Sequence, residues 1–181
     1  GKYVKTGIDH LCELGITHVH LMPIFDFGSV DERFPGSNNR NWGYDPKNFN
    51  VPEGSYCSNP YNPVTRILEL RQMIMKFHER GIRVVMDMVY NHMMSTVNMD
   101  NIVPGYYFRS DYLGRYTNGS GCGNELASER PMVRKFIIDS CLHWIKDYKI
   151  DGIRFDLMEL LDIDTTKEIV KKTTKLDKNF L

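Results

Sequence analysis

Hydrophobic and polar positions alternate between two periods along this chain. Over 5–14, Ile8, Leu11 and Cys12 share a helical face and Gly15 stops the run, which predicts the end of a helix. His18–Met22 then reads as a strand closed by Pro23. Ile67, Leu70, Ile74 and Phe77 predict a helix over about 63–80, ended by Gly81, with a strand over Ile82–Asp87 behind it. Val133, Ile137, Cys141, Trp144 and Tyr148 mark one face of a further helix, with Ser128 as its expected N-cap and Pro131 in its first turn. A strand over Ile150–Asp156 follows, then a weaker helix over 163–175.

The connections are unequal. Helix-to-strand links are very short, at Gly15, Gly81 and Lys149, whereas strand-to-helix links occupy about 23–62 and about 93–128. Loops of about 2–6 residues are usual there. In βα barrels the strand-to-helix loops build the active face. The pattern therefore predicts an α/β chain of repeated βα units with its function on one end. No linker or low-complexity segment divides 1–181, so it reads as a single unit. Its 181 residues suffice for one core, but a complete eight-stranded barrel takes about 250.

Composition narrows the partners. Lys plus Arg and Asp plus Glu both number 23, which leaves no basic footprint for nucleic acid. No apolar run of about 18 residues predicts a membrane span, and no leader is visible. The four cysteines, Cys12, Cys57, Cys122 and Cys141, form no C-x-x-C pair. Cys12 and Cys141 fit helical core positions, and this usage favours a reducing, cytoplasmic setting.

The candidate chemistry lies in Asp151-Gly152-Ile153-Arg154-Phe155-Asp156. Residues two apart on a strand share a face, so Arg154 and Asp156 are expected side by side, with Phe155 opposite. A neighbouring guanidinium favours an ionised carboxyl, which suits nucleophilic attack on a sugar carbon. A plain structural ion pair is the alternative. Two further stretches stand out: Asp87-Met88-Val89-Tyr90-Asn91-His92 and Asn41-Trp42-Gly43-Tyr44-Asp45-Pro46.

Together, and with Gly121–Pro131, these motifs resemble the alpha-amylase superfamily of glycoside hydrolases and, within it, the type I pullulanases. The resemblance runs through nearly the whole chain in the family's motif order. It implies a partial (β/α)8 TIM barrel covering helix 1 through helix 4 with strands 2–4, and cleavage of α-1,6-glucosidic branch links in pullulan, glycogen or amylopectin-type glucans. Asp156 matches the family nucleophile, Arg154 the arginine that orients it, and Asp87 the aspartate that supports Arg154. His92 matches the histidine that binds the sugar beside the scissile bond. Tyr44 matches the tyrosine that stacks on that sugar; Trp42, two residues away, is a second aromatic candidate, or else packs the loop with Tyr44. No cofactor is implied, although Asn91 corresponds to a calcium-ligand position in many relatives. His20, His78 and His143 read as structural, Glu125 and Glu129 as loop and helix-start charges.

Arg40, Ile153 and Glu159 depart from the family pattern. The resemblance places the general acid on a glutamate shortly after a segment like Asp177–Leu181, so the chain is expected to be an inactive fragment of a longer catalytic barrel. Its outer strands, near 18–22 and 150–156, are then expected to have open edges that seek the missing strands or a second copy. Other alpha-amylase-type activities, and a non-catalytic glucan-binding protein, are the rival readings. A metal-dependent hydrolase is a poor third, because Asp87 and His92 do not supply a ligand set.

Overall fold

The structure, a computed structural model, describes residues 4–34 and 41–181; Arg40 lies outside them. The elements follow in the order α1 (Gly7–Glu13), β1 (His18–Leu21), β2 (Phe25–Phe27), β3 (Pro46–Pro52), α2 (Pro63–Glu79), β4 (Arg83–Met88), α3 (Val97–Asp100), α4 (Pro131–Tyr148), β5 (Gly152–Phe155) and α5 (Ile163–Leu176). Single 3₁₀ turns occupy Gly54–Tyr56 and Met158–Leu160.

The helical periods form helices where expected. Asn62 caps α2 by accepting from the Val64 N–H at 3.1 Å, with Pro63 at the first helical position, where its missing N–H costs nothing. Gly81 takes φ +70° and turns the chain directly into β4. The same corner after α4 is made by Lys149 at φ 60°. Ser128 is not the cap of α4. Arg130 holds that position without a side-chain bond, and the Ser128 hydroxyl instead accepts from the Asp162 N–H at 2.9 Å. The cause is tertiary: Ser128 is fully buried against the start of α5, where Thr165 Oγ1 also donates to its carbonyl.

β1, β4 and β5 make a parallel sheet in the order β1-β4-β5. His20 pairs with Val85, and Asp87 with Arg154. Parallel strands joined through helices must all run the same way, so their C-terminal ends converge on one side. The outer edge of β5, expected to be open, is met by the chain itself. Leu181 N–H donates to Asp151 O (3.1 Å) and Ile153 N–H to Leu181 O (3.0 Å), a parallel bridge.

The stretch 23–62 is not wholly irregular: β2 and β3 form an antiparallel pair with an interrupted register. Its apolar side joins the core through Phe25 and Phe49, and Trp144 of α4 donates to Phe49 O at 2.9 Å. The segment 93–128 holds α3 and two isolated bridges, Phe108–Leu126 and Ser110–Tyr116. Tyr90 is fully buried and donates to Ser140 Oγ at 2.7 Å, tying the end of β4 to α4. Burial pushes the neighbouring Cys141 thiol up to about 12, so it behaves as a small apolar side chain. Cys12, expected in the core, is only half-buried. No helix among the described residues is long and apolar enough to cross a membrane.

Candidate active site

The strand ends deliver a polar cluster. β5 stops at Phe155, but the ladder continues one residue further, because the Asp156 N–H donates to Met88 O at 3.0 Å. Leu157 then takes φ 44°, a left-handed turn that a branched side chain rarely adopts, and the chain leaves the sheet at once. Asp156 is thereby left at the tip of the strand. Arg154 lies beside it, as the two-residue period requires: its Nη1 donates to Asp156 Oδ1 at 2.8 Å and to Asp87 Oδ1 and Oδ2 at 3.0 Å each. One nitrogen thus bridges two acids from adjacent strands. The ion pairs, with Asp87 foremost, raise the guanidinium above its already high range.

Asp87 is 1% exposed. Besides Arg154, its Oδ2 accepts from Tyr44 Oη (2.9 Å) and lies 3.2 Å from His20 Nε2. Burial and the bond to Asp87 both raise the Tyr44 phenol, which keeps it a donor. Tyr44 is delivered by the turn at Gly43 (φ +85°), where a Cβ would sit 2.8 Å from both Pro23 Cβ and Pro23 O. Asp45 then holds this loop by accepting from the Ser29 N–H at 2.7 Å and from Asn41 Nδ2 at 3.0 Å. Trp42 is 71% exposed.

Asn91 and His92 close the other side. Asn91 Nδ2 donates to the Asp156 carbonyl (2.8 Å) and Oδ2 (3.2 Å), while its Oδ1 lies 2.5 Å from His92 Nδ1. Both ends of the Asn91 amide are therefore engaged within the cluster. His92 Nε2 lies 3.0 Å from Tyr44 O, so both ring nitrogens face oxygen acceptors and the neutral ring donates to one of them at a time. Burial lowers the His92 pKa, outweighing the Tyr44 carbonyl and the Asp156 and Asp45 carboxylates that favour its charged form. A base whose folded pKa is lowered binds fewer protons than it does unfolded, so stability is present above pH 6.5 and drains away as pH falls below it. The complete polypeptide should accordingly lose melting temperature on acidification more steeply than its His92→Gln variant. Parallel curves for the two proteins would mean that His92 is not held neutral.

The structure brings together Asp156, Arg154, Asp87, Tyr44 and His92 of the residues singled out from sequence. Trp42 stays at the rim. Two members were not foreseen in their roles. Asn91 grips Asp156, and His20, read as structural, reaches Asp87. A signal for His20 existed, since polar residues near the C-terminal ends of parallel strands converge in βα folds. Glu125 lies in the loop, as expected, and has partners there. It is nearly buried and pairs with Arg109 at 3.2 Å, while Arg109 also donates to Leu160 O at 2.8 Å. That pair fastens the 93–128 segment to the turn after Asp156. Glu159 is exposed on that turn.

One other acidic group is close-set. Carboxylate oxygens of Asp26, Glu32 and Glu53 lie within 4.8 Å of one another. Arg66 pairs with Glu32 at 2.5 Å, Asn48 donates to Asp26, and the Phe27 and Ser55 N–H groups donate to Glu53. Burial raises the Asp26 and Glu53 carboxyls. The group is thus held by its own donors.

Parallel strands whose ends carry two carboxylates on one guanidinium, under long loops, define a βα-repeat protein with its polar site on the loop face. The alpha amylase catalytic-domain model matches residues 4–103. The chain belongs to the alpha-amylase family. It is 49% identical over 173 residues to a pullulanase of Bacillus subtilis (strain 168), covering 94% of this chain and 24% of that protein. It is 38% identical over 169 residues to isoamylase 3, chloroplastic, of Oryza sativa subsp. japonica, covering 85% of this chain and 21% of that protein. A crystal structure of the pullulanase from Paenibacillus barengoltzii, in complex with maltohexaose and alpha-cyclodextrin, superposes with a TM-score of 0.95 at 49% identity over 99% of this chain and 28% of that one. The chain spans about a quarter of the length of these relatives.

Proposed function

We propose that this chain carries the nucleophile side of a retaining glycoside hydrolase that cleaves α-1,6-glucosidic branch links in α-glucans. The observation that carries the reading is Asp156 at the tip of β5, clamped by Arg154 Nη1 and Asn91 Nδ2. The pullulanase relatives and the maltohexaose complex support an α-glucan as substrate. Parallel β1, β4 and β5, alternating with α2 and α4, support the finer reading of the fold: helix 1 through helix 4 and strands 2–4 of a (β/α)8 barrel.

In this reading an Asp156 carboxylate oxygen attacks the anomeric carbon. The C–O bond to that carbon breaks, and the leaving oxygen takes a proton from a second carboxyl, about 5–5.5 Å from the first in retaining enzymes. Water then displaces Asp156 from the glycosyl intermediate, giving its proton back to the second carboxyl. Two displacements retain configuration. The reading assigns that second carboxyl to the part of the relatives' length that this chain does not span. Asp87 and Arg154 hold the nucleophile, Tyr44 offers a ring face to the sugar, and His92 lies beside it; Trp42 supplies a further apolar face at the rim.

The test is hydrolysis of pullulan by the complete polypeptide that carries this sequence, with the product anomer followed by NMR. Release of the α-anomer supports the reading; the β-anomer, or failure to cleave pullulan, glycogen and amylopectin alike, overturns it. Isoamylase 3 among the relatives favours a second reading, a debranching enzyme that prefers glycogen or amylopectin; cleavage of those with pullulan left intact selects it.

Tyr44 gives a graded check. Tyr44→Ala is expected to lower kcat/KM by about 1–3 kcal/mol of transition-state stabilisation. Tyr44→Phe is expected to be milder, though not silent, because the hydroxyl bond to Asp87 is lost. Unchanged kinetics in both variants would make Tyr44 a packing residue.

A further inference from the structure

We infer that His20 is a positioning residue for the reaction assigned above, holding the Asp87 carboxylate that in turn sets Arg154 against Asp156. The inference rests on that functional reading and deepens it. Asp87 Oδ2 already accepts from Tyr44 Oη and Arg154 Nη1, so the His20 nitrogen facing it at 3.2 Å carries the proton and donates. The three donors come from three different segments: β1, the loop before β3, and β5. Arg154 needs this fixing. Its side chain is 44% exposed, and a single nitrogen makes its bonds to both acids. The guanidinium can be no better placed than the carboxylate it leans on, and His20 is the donor that β1 contributes to it.

His20 has little other work in the fold. Val19 and Leu21, on the opposite face of β1, pack against the core, while the His20 side chain is about half exposed. Replacing it leaves the packed face of the strand intact, so a loss of turnover there reports on Asp87 rather than on the core.

The test uses the complete polypeptide and pullulan. His20→Phe is expected to lower kcat about tenfold, the size of one hydrogen bond to a charged group, with KM within about twofold. His20→Gln, which keeps an N–H donor at similar reach, recovers most of the loss. In an Asp87→Ala background His20→Phe has no further effect, because the residue it acts through is gone. The inference is overturned by a wild-type kcat in His20→Phe, by His20→Gln falling as low as Phe, or by the full loss persisting without Asp87. Melting curves exclude misfolding, and His20→Ala substitutes if the Phe variant melts early. Asp156→Asn in the same assay separates the two ideas. If it still turns over, the functional reading fails. If it is dead while His20→Phe is normal, only the role of His20 fails.

Discussion

Asp156→Asn is expected to lower kcat by roughly 10⁴-fold or more while leaving glucan binding near the wild-type level. Asparagine is nearly isosteric, and its one amide oxygen can still accept from Arg154 Nη1 as Asp156 Oδ1 does at 2.8 Å; the 3.2 Å bond from Asn91 Nδ2 to Oδ2 is lost, while Asn91 keeps its 2.8 Å bond to the backbone carbonyl of the residue. What it lacks is an anionic oxygen able to bond to the anomeric carbon. The measurement pairs steady-state hydrolysis of pullulan with calorimetric binding of a maltooligosaccharide. Loss of turnover with retained binding is the expected result. Turnover within tenfold of wild type would reduce the Arg154–Asp156 pair to a structural ion pair.

Arg154 carries the second large effect. Arg154→Ala is expected to cost roughly 10²–10³-fold in kcat/KM, the scale seen when one preorganised donor is removed from a site. It also strands Asp87, which is 1% exposed and keeps only Tyr44 and His20 as side-chain partners. Breaking a fully buried pair costs about 3–5 kcal/mol, but Arg154 is 44% exposed, so about 1–2 kcal/mol of stability is the fitting expectation. Arg154→Lys restores the charge without the reach. Its chain is one bond shorter, and the present nitrogen sits within 3.0 Å of Asp87 and Asp156 at once. Lysine should recover stability more fully than activity. Full recovery of both by lysine would show that only charge matters there, not the bridge.

The helices and parallel strands were legible because their residues follow one period each. The β2–β3 pair was not. Pro46 and Pro52 bound β3, its buried positions are every third residue rather than every second, and its register with β2 is broken. No alternation exists there to be read. The N-cap assigned to Ser128 failed for a different reason: its hydroxyl satisfies the start of α5, a partner 34 residues away. Glu125 could be read only as a loop charge, because its partner Arg109 and the Leu160 carbonyl that Arg109 also holds belong to segments that meet only in the fold.

The sequence by itself determined the order of the long helices and the parallel strands, the loading of long loops on the strand C-terminal side, and the Arg154–Asp156 pairing, since all of these follow from local periods and from side chains two residues apart. It also held the motifs that mark the family. Only the tertiary structure decided that Arg154 spans two acids with one nitrogen, that Asn91 turns its amide to Asp156, and that His20 reaches Asp87 from β1. Those contacts join residues separated by 65–67 positions. Parallel pairing of β1, β4 and β5 brings their ends within hydrogen-bond distance, and no local pattern encodes which side chains meet across that gap.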